Sequence, residues 1–200
     1  MIEPGKELFT QLKGQWAPAY FNNNHELVVE IGCGKGDYTI ALANLFPNKN
    51  FIGVDIKGSR LWKGSTVAQE NNLENAAFLR NFVEHLPANF APAEISELWI
   101  TFPDPRPKKG DERKRLTSKR YLDLYETLVQ PGGTIHFKTD ELDLFEYTLN
   151  LLQTRGAKNL IFTFDLYQSD LQSYTFNIQT TYEKRFLAAG VPIKYLQYTA

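Results

Sequence analysis

The chain has 200 residues, of which 42% are hydrophobic and 14% aromatic, and its formal net charge is −1 at pH 7. This composition supports one sizeable hydrophobic core, and it excludes both a disordered chain and a protein that binds nucleic acid through uniform positive charge. Cys33 is the single cysteine, which excludes an intramolecular disulfide framework and any zinc site built from several cysteines.

Short apolar segments of β-forming residues alternate along the chain with segments of helical periodicity. We predict strands over residues 27–31, 50–55, 76–81, 97–102 and 134–139, and two later strands over 160–166 and 191–198 that pair antiparallel. Helices are predicted to begin near residues 38, 59, 118 and 140, with Ser118 and Asp140 as caps of the last two. The sequence Pro131-Gly132-Gly133 predicts a hard turn before the fifth strand.

The repeated strand-helix units predict an α/β fold with a doubly wound, mostly parallel, Rossmann-like sheet and an antiparallel C-terminal strand. We expect residues 1–200 to form a single domain, in which residues 1–25 precede the core. The N-terminal sequence has no basic segment followed by an apolar run, and no stretch approaches 18 apolar residues. We therefore expect a cytoplasmic protein with no membrane partner. The three histidines share no metal-ligand spacing, so we expect no metal.

A glycine loop follows the first predicted strand, at the edge of the sheet where such folds bind ligands. Gly32, Gly34 and Gly36 have the spacing GxGxG, whereas the dinucleotide pattern GxGxxG requires glycine where this chain has Asp37. The Asp37 carboxylate would also repel a pyrophosphate at the helix N-terminus.

Two carboxylates stand near this loop. Asp55 ends the second strand, where it can accept hydrogen bonds from ribose hydroxyls, and Glu30 ends the first. Glycine backbone and carboxylates favour a positively charged nucleoside, which points to S-adenosylmethionine rather than NAD. The competing interpretation is a tight turn with solvated acids.

Positive charge is concentrated in residues 104–120, which hold eight basic and three acidic side chains and therefore a net charge of +5. The remaining 183 residues carry 14 basic and 20 acidic side chains. A basic loop beside a ligand pocket is typical of phosphate-backbone binding, and the alternative is a solvated charged loop. Within this segment, prolines at 103, 105 and 107 stiffen the chain around Asp104. The Asp104 carboxylate can accept hydrogen bonds from a guanine edge, or it can simply form a turn.

These motifs together resemble those of the bacterial tRNA (guanine-N(7)-)-methyltransferases, a family with the class I, S-adenosylmethionine-dependent fold. The resemblance extends from Val29 to about Tyr198, and it is carried by residues 30–36, 51–55, 102–109, 114–117, 131–133, 136–140 and 180–183. Many methyltransferases share the first motif. The segment Phe102-Pro103-Asp104-Pro105-Arg106-Pro107-Lys108-Lys109 and the late Thr180-Thr181-Tyr182-Glu183 are specific to this family.

The resemblance implies roles for individual residues. S-adenosylmethionine would be bound at Glu30, Gly32, Gly34, Gly36, Asp55, Asn81, Phe82 and Asp104. Asp104 would lie between donor and guanine as the catalytic residue. The tRNA or its target base would be contacted by Lys108, Asp140, Thr180, Thr181, Tyr182 and Glu183, and the RNA patch would comprise Arg106, Lys109, Arg113, Lys114 and Arg115. The substrate implied is a guanine in the variable loop of tRNA.

Three positions depart from the family pattern. Phe82 stands where the family commonly has an acidic residue, so the adenine contact would pass to Asn81 or to the backbone, with Phe82 packing on the ring. Residues 110–113 lack the usual histidine and arginines, and residues 1–24 carry only Lys6 and Lys13 as cations.

Other functions stay open at this point. A class I methyltransferase acting on another RNA or on a small molecule would not need the basic loop for activity. A catalytically inactive RNA-binding relative would not need Glu30, Asp55 and Asp104, and a nicotinamide-dependent dehydrogenase has the wrong glycine spacing. Lys138 at a strand end is either a surface residue with a buried stem or a phosphate contact. The protein is expected to be a monomer or a homodimer.

Overall fold

The computed structural model describes residues 11–200, which form one seven-stranded sheet with helices packed on both faces. The strands are β1 (Glu26–Ile31), β2 (Lys49–Asp55), β3 (Ala76–Arg80), β4 (Ile95–Thr101), β5 (Val129–Thr139), β6 (Lys158–Thr163) and β7 (Lys194–Thr199). The α-helices are α1 (Asp37–Leu45), α2 (Gly58–Glu70), α3 (Lys119–Leu128), α4 (Leu142–Thr154) and α5 (Thr181–Ala188). Shorter helical segments cover Trp16–Tyr20, Val83–Ala88, Lys109–Lys114, Leu166–Gln168 and Asp170–Thr175.

The strand order β3-β2-β1-β4-β5-β7-β6 confirms the predicted doubly wound sheet. Strands β1 to β5 run parallel, whereas β7 pairs antiparallel with both β5 and β6, as predicted for the C-terminal strands. The order reverses at β1, which lies between β2 and β4. Such a switch point opens a crevice at the carboxyl ends of the strands, and this is where a ligand site is expected.

Successive residues of the central strands contribute to separate cores on the two faces of the sheet. On β1, Val29 packs in the core that includes Tyr125 of α3 and Phe145 of α4, whereas Val28 packs in the core that includes Leu42 of α1. This alternation follows from the two-residue period of a strand. Both cores anchor the strand ends that carry the loops of the site.

The segment before β1 is part of the core from residue 11 onward. Trp16 is buried, its ring stacks on Phe90, and its Nε1 donates a hydrogen bond to the carbonyl of Asn89 at 2.8 Å. Leu12 is buried beside it. Of the two N-terminal cations, Lys13 is described and Lys6 lies outside the described residues.

The hard turn expected at Pro131, Gly132 and Gly133 is wrong, because β5 begins at Val129 and runs through these residues. The register of β5 against β4 shifts there: Ile95 pairs with Val129, and Glu97 pairs with Thr134. The extra residues form an irregularity within the strand. Turn-forming residues occur both in such irregularities and in chain reversals, so the sequence pattern alone does not distinguish the two.

Of the two predicted helix caps, Asp140 is wrong and Ser118 is confirmed in its position. Asp140 does not cap α4; Glu141 occupies that position, and the Asp140 carbonyl instead accepts a hydrogen bond from Nζ of Lys194 at 2.7 Å. Ser118 is the N-cap residue of α3, as predicted, although its hydroxyl donates to the carbonyl of Arg113 and makes no side-chain cap bond.

The sixth strand ends earlier than its sequence pattern predicts. β6 stops at Thr163, because the Asp165 carboxylate accepts a hydrogen bond from the backbone N–H of Tyr167 and turns the chain into a short helical segment. None of the helices in residues 11–200 combines the length and the apolar character needed to cross a membrane.

Candidate active site

The carboxyl ends of the central strands open into a cleft of about 540 Å³, a size typical of small-molecule sites. Its walls come from the glycine loop after β1, the proline-rich loop after β4, the turn after β5 and the N-terminus of α5. The residues that line it include Glu30, Gly32, Gly34, Lys35, Asp37, Thr101, Phe102, Asp104, Asp140, Thr180, Thr181, Tyr182 and Arg185. The sequence-predicted donor loop, Asp104 and the late Thr180–Tyr182 segment therefore meet in one cavity.

The glycine loop presents open backbone to the cleft. Gly32, Gly34 and Gly36 all have positive φ, at 72°, 58° and 76°. A Cβ on Gly36 would lie 2.3 Å from the ring of Phe78, so glycine is required there for packing. A Cβ on Gly34 would meet nothing within 4 Å, which leaves its backbone accessible to a ligand.

Asp55 supports the glycine loop from the end of β2. Its Oδ2 accepts the backbone N–H of Gly34 at 2.9 Å, and its Oδ1 accepts that of Lys57 at 2.8 Å. A carboxylate has further lone pairs, so both oxygens can still accept bonds from hydroxyl groups. Asp55 does not belong to the lining of the cleft, but it is hydrogen-bonded to Gly34, which does.

Glu30 lies at the floor of the cleft and is 3% exposed. Its carboxylate accepts hydrogen bonds from the backbone N–H and the hydroxyl of Thr39, and its other oxygen lies 2.6 Å from the hydroxyl of Thr101. Burial raises the pKa of Glu30 to about 7, although these hydrogen bonds oppose the rise. Glu30 therefore joins β1, α1 and β4 directly below the glycine loop.

Asp104 projects into the cleft from a stiff and strained loop. Its carboxylate forms an ion pair with Nε of Arg106 at 3.1 Å and accepts the backbone N–H of the same residue at 3.2 Å. Phe102 and Arg106, which flank it, have positive φ values of 48° and 47°. Non-glycine residues in this region are strained, and such strain clusters at functional sites. The backbone N–H of Phe102 bonds to the carbonyl of Lys138 at 2.9 Å and anchors the loop to β5.

The basic loop after Asp104 is partly neutralised by its own contacts. Lys114 pairs with Asp111 at 2.6 Å, and the guanidinium of Arg115 lies 4.5 Å from the ring centre of Tyr147. Within residues 11–200, three exposed cations of this loop form no ion pair: Lys108, Lys109 and Arg113. None of the three lines the cleft, so the free positive charge of this loop lies outside it.

Lys138 and Glu183 form a fully buried ion pair that sequence reasoning missed. Their side chains are 0% exposed, and Lys138 Nζ lies 2.7 Å from Glu183 Oε1. Both expectations for Lys138, a surface residue or a phosphate contact, are wrong. Glu183 also accepts the Tyr167 hydroxyl at 2.8 Å, so its implied contact with tRNA is not a surface contact in this structure. The spacing Thr180-x-x-Glu183 is a capping-box pattern, which could have identified Glu183 as a helix-capping residue rather than a tRNA contact.

The N-terminus of α5 lies above this pair. Thr180 caps the helix, with its hydroxyl accepting the backbone N–H of Glu183 at 3.1 Å in a capping box. Thr181 donates to the Asp37 carboxylate, while Tyr182 is 51% exposed and lines the cleft. Sequence reasoning considered Asp37 only as a charge that disfavours pyrophosphate.

The residues implied for adenine do not line the cleft. Asn81 is buried, and its side chain is engaged with Asn89 and with the backbone N–H of Phe82. Phe82 is 56% exposed, at the end of β3 next to the strand that carries Asp55. Its ring is therefore accessible for stacking at the rim.

Burial also changes the pKa of two further groups at the cleft. Burial raises the pKa of the Asp140 carboxyl and that of the Cys33 thiol. Cys33 is therefore a packing residue of the glycine loop rather than a thiolate nucleophile. Among residues 11–200, no group of three or more histidine, cysteine, aspartate or glutamate side chains is arranged to hold a metal ion.

Structural comparison supports the fold. The 16S rRNA methyltransferase KamB superposes with a TM-score of 0.65 and 16% sequence identity, covering 97% of this chain and 93% of that one. At this identity the likeness shows the fold alone, which is that of the class I methyltransferases.

Sequence comparison identifies the family. The family model described as "Putative methyltransferase" matches residues 24–196. The tRNA (guanine-N(7)-)-methyltransferase of Cytophaga hutchinsonii is 46% identical over 200 residues, which cover 99% of this chain and 90% of that protein. The tRNA (guanine-N(7)-)-methyltransferase of Porphyromonas gingivalis is 44% identical over 188 residues, covering 94% of this chain and 76% of that protein. Given this similarity over nearly its whole length, the chain belongs to the tRNA (guanine-N(7)-)-methyltransferase family.

Proposed function

We propose that this protein transfers a methyl group from S-adenosylmethionine to N7 of a guanine in the variable loop of tRNA. One observation carries the proposal: a single cleft joins the glycine loop after β1, the Asp104 loop and the N-terminus of α5, beside a loop with three unpaired cations. Family membership supports the same reaction.

The residues of the cleft fit a cationic nucleoside donor. The open backbone of Gly34 admits close approach, and the Asp140 carboxylate provides negative charge at the cleft wall. Asp55 would hold the ribose hydroxyls, and Phe82 would cover the adenine at the rim. S-adenosylmethionine supplies an electrophilic methyl group on its sulfonium when it is bound.

Guanine N7 carries a free lone pair, so the acceptor needs no general base. The protein's contribution is then to hold the nucleophile in line with the methyl carbon, which can supply about 7 to 11 kcal/mol of the barrier. We assign Asp104 to orienting the guanine and to stabilising the positive charge that develops on the purine. Its position on a proline-stiffened loop suits this role, because little motion is left to be lost on binding.

The basic loop would bind the RNA backbone. Lys108, Lys109 and Arg113 offer unpaired charge to phosphates, whereas Arg106, Lys114 and Arg115 shape the loop through their own contacts. Asp140 and Tyr182 line the same cleft as Asp104 and would contact the target base. An extruded guanine could stack on the exposed ring of Tyr182.

The test compares Asp104→Ala and Asp104→Asn with the wild type, using labelled S-adenosylmethionine and unmodified tRNA. Asp143→Ala is the matched control, since Asp143 is an exposed aspartate of α4 that lies outside the cleft and outside the basic loop. We expect the Asp104 variants to lose at least about a hundredfold in single-turnover rate, which corresponds to about 3 kcal/mol of transition-state stabilisation, and to keep their tRNA affinity. Unchanged turnover in Asp104→Ala would remove Asp104 from the reaction.

A further inference from the structure

A single carboxylate connects the glycine loop to the helix that carries the late sequence motif. Oδ2 of Asp37 accepts the backbone N–H of Thr181 at 2.9 Å and the hydroxyl of Thr181 at 2.6 Å. The two residues are 144 positions apart in the chain. Asp37 directly follows Gly36 of the glycine loop, and both Asp37 and Thr181 line the cleft.

The contact is electrostatically favourable from both sides. Asp37 is the first residue of α1, and Thr181 is the first residue of α5. Helix N-termini carry partial positive charge and unsatisfied N–H groups, so a carboxylate placed between two of them interacts favourably with each. The backbone N–H of Thr181 is one such group of α5, and Asp37 satisfies it.

Contacts inside the protein also hold the N-terminus of α5. Thr180 and Glu183 exchange the two hydrogen bonds of the capping box, and Glu183 is fixed by Lys138 and Tyr167 inside the protein. These buried contacts join the first turn of α5 to the interior of the protein. The bond from Asp37 is the contact that ties the same helix end to the glycine loop.

Residues next to the hydrogen bonds between Asp37 and Thr181 line the cleft. Tyr182 follows Thr181 and is half-exposed, and Arg185 lies one turn further along α5, also in the cleft lining. A shift of the first turn of α5 would move both side chains relative to the glycine loop. Asp37 therefore connects the glycine loop to the helix end that carries these two side chains.

We propose that Asp37 is a positioning residue, which fixes the N-terminus of α5 against the glycine loop and so aligns the tRNA-contacting side chains with the methyl donor. The inference rests on the proposed function. It gives Thr181 an intramolecular role, as the hydrogen-bond donor to Asp37, in place of a direct contact with tRNA.

The experiment measures tRNA affinity by fluorescence anisotropy, donor affinity by calorimetry, and the kcat and KM for tRNA. Asp37→Ala removes both hydrogen bonds, Asp37→Asn keeps an oxygen that can accept them, and Thr181→Ala removes only the hydroxyl bond. Asp143→Ala is the matched control, because Asp143 is an exposed aspartate in the first turn of α4 and lies outside the cleft.

We expect Asp37→Ala to raise the KM and the dissociation constant for tRNA about tenfold, as loss of hydrogen bonds to a charged group should. Donor affinity and melting temperature should stay close to those of the control. Asp37→Asn should recover most of the tRNA affinity. In the double variant Asp37→Ala/Thr181→Ala, the second change should add nothing, since the partner is already absent.

Three results would overturn the inference while leaving the methyl-transfer function intact. Losses that add in the double variant would show that Thr181 contacts the tRNA itself. Tighter tRNA binding by Asp37→Ala would show that the carboxylate acts by repelling phosphate. Unchanged tRNA binding by Asp37→Ala would show that the contact between Asp37 and Thr181 does not position the tRNA-contacting side chains of α5. A wild-type protein that methylates no tRNA would reject the proposed function and this inference together.

Discussion

The buried carboxyl of Glu30 should make the stability of the fold depend on pH in a defined direction. Its pKa rises from 4.5 to about 7 because burial disfavours the charged form. Between these pH values the folded protein keeps a proton on Glu30 that the unfolded chain has released. The free energy of unfolding therefore falls as pH rises, and the full effect amounts to about 3 kcal/mol.

Glu30→Gln isolates this contribution. Glutamine keeps the shape and an accepting oxygen for Thr39, but it stays neutral at every pH. The assay is urea denaturation followed by circular dichroism from pH 5 to pH 8, in the absence of ligands. We expect the free energy of unfolding of the wild type, relative to the variant, to fall by about 2.5 kcal/mol across this range. A difference that is flat, or that rises with pH, would refute the assignment of Glu30 as a carboxyl kept neutral by burial.

Two further predictions follow from the charges of the site. Lys138→Met should lower the free energy of unfolding, measured by urea denaturation, by about 3 to 5 kcal/mol, because it leaves the Glu183 carboxylate buried without its partner. A loss below about 1 kcal/mol would contradict the buried ion pair. Substituting Lys108, Lys109 or Arg113 by alanine should each reduce the slope of log K for tRNA against log salt by about 0.7 to 0.9. Lys158→Ala, on the exposed strand β6, is the control, and an unchanged slope in all three variants would place the RNA elsewhere.

The order of strands and helices could be predicted because it depends on local hydrophobic periodicity and on glycine and proline positions. The β1 and β4 segments, the glycine loop and the Asp104 loop needed no tertiary information. The start of β5 could not be predicted in this way. Pro131 and the glycines after it have the composition of a turn, and only pairing with β4 shows that they lie within a strand.

The interactions that organise the site were not predictable from sequence patterns alone. Lys138 and Glu183 are 45 positions apart, and Asp37 and Thr181 are 144 apart. Neither pair has a local pattern that indicates its partner. Polar residues at strand ends were assigned to ligands, whereas the structure uses several of them to join the elements around the cleft. Glu30, bonded to Thr39 and Thr101, is one example.

Methylation of tRNA transcripts that lack one guanine N7 atom tests directly whether the protein methylates N7 of a variable-loop guanine. Unmodified tRNA is prepared with 7-deazaguanine at one variable-loop guanine at a time, which replaces N7 by carbon and removes the lone pair. The wild-type protein is incubated with labelled S-adenosylmethionine, and the product nucleoside is identified by mass spectrometry. We predict N7-methylguanosine in the unsubstituted tRNA and no transfer when the target guanine is replaced. Undiminished transfer to every substituted transcript, or a methyl group on any other atom, would contradict this prediction.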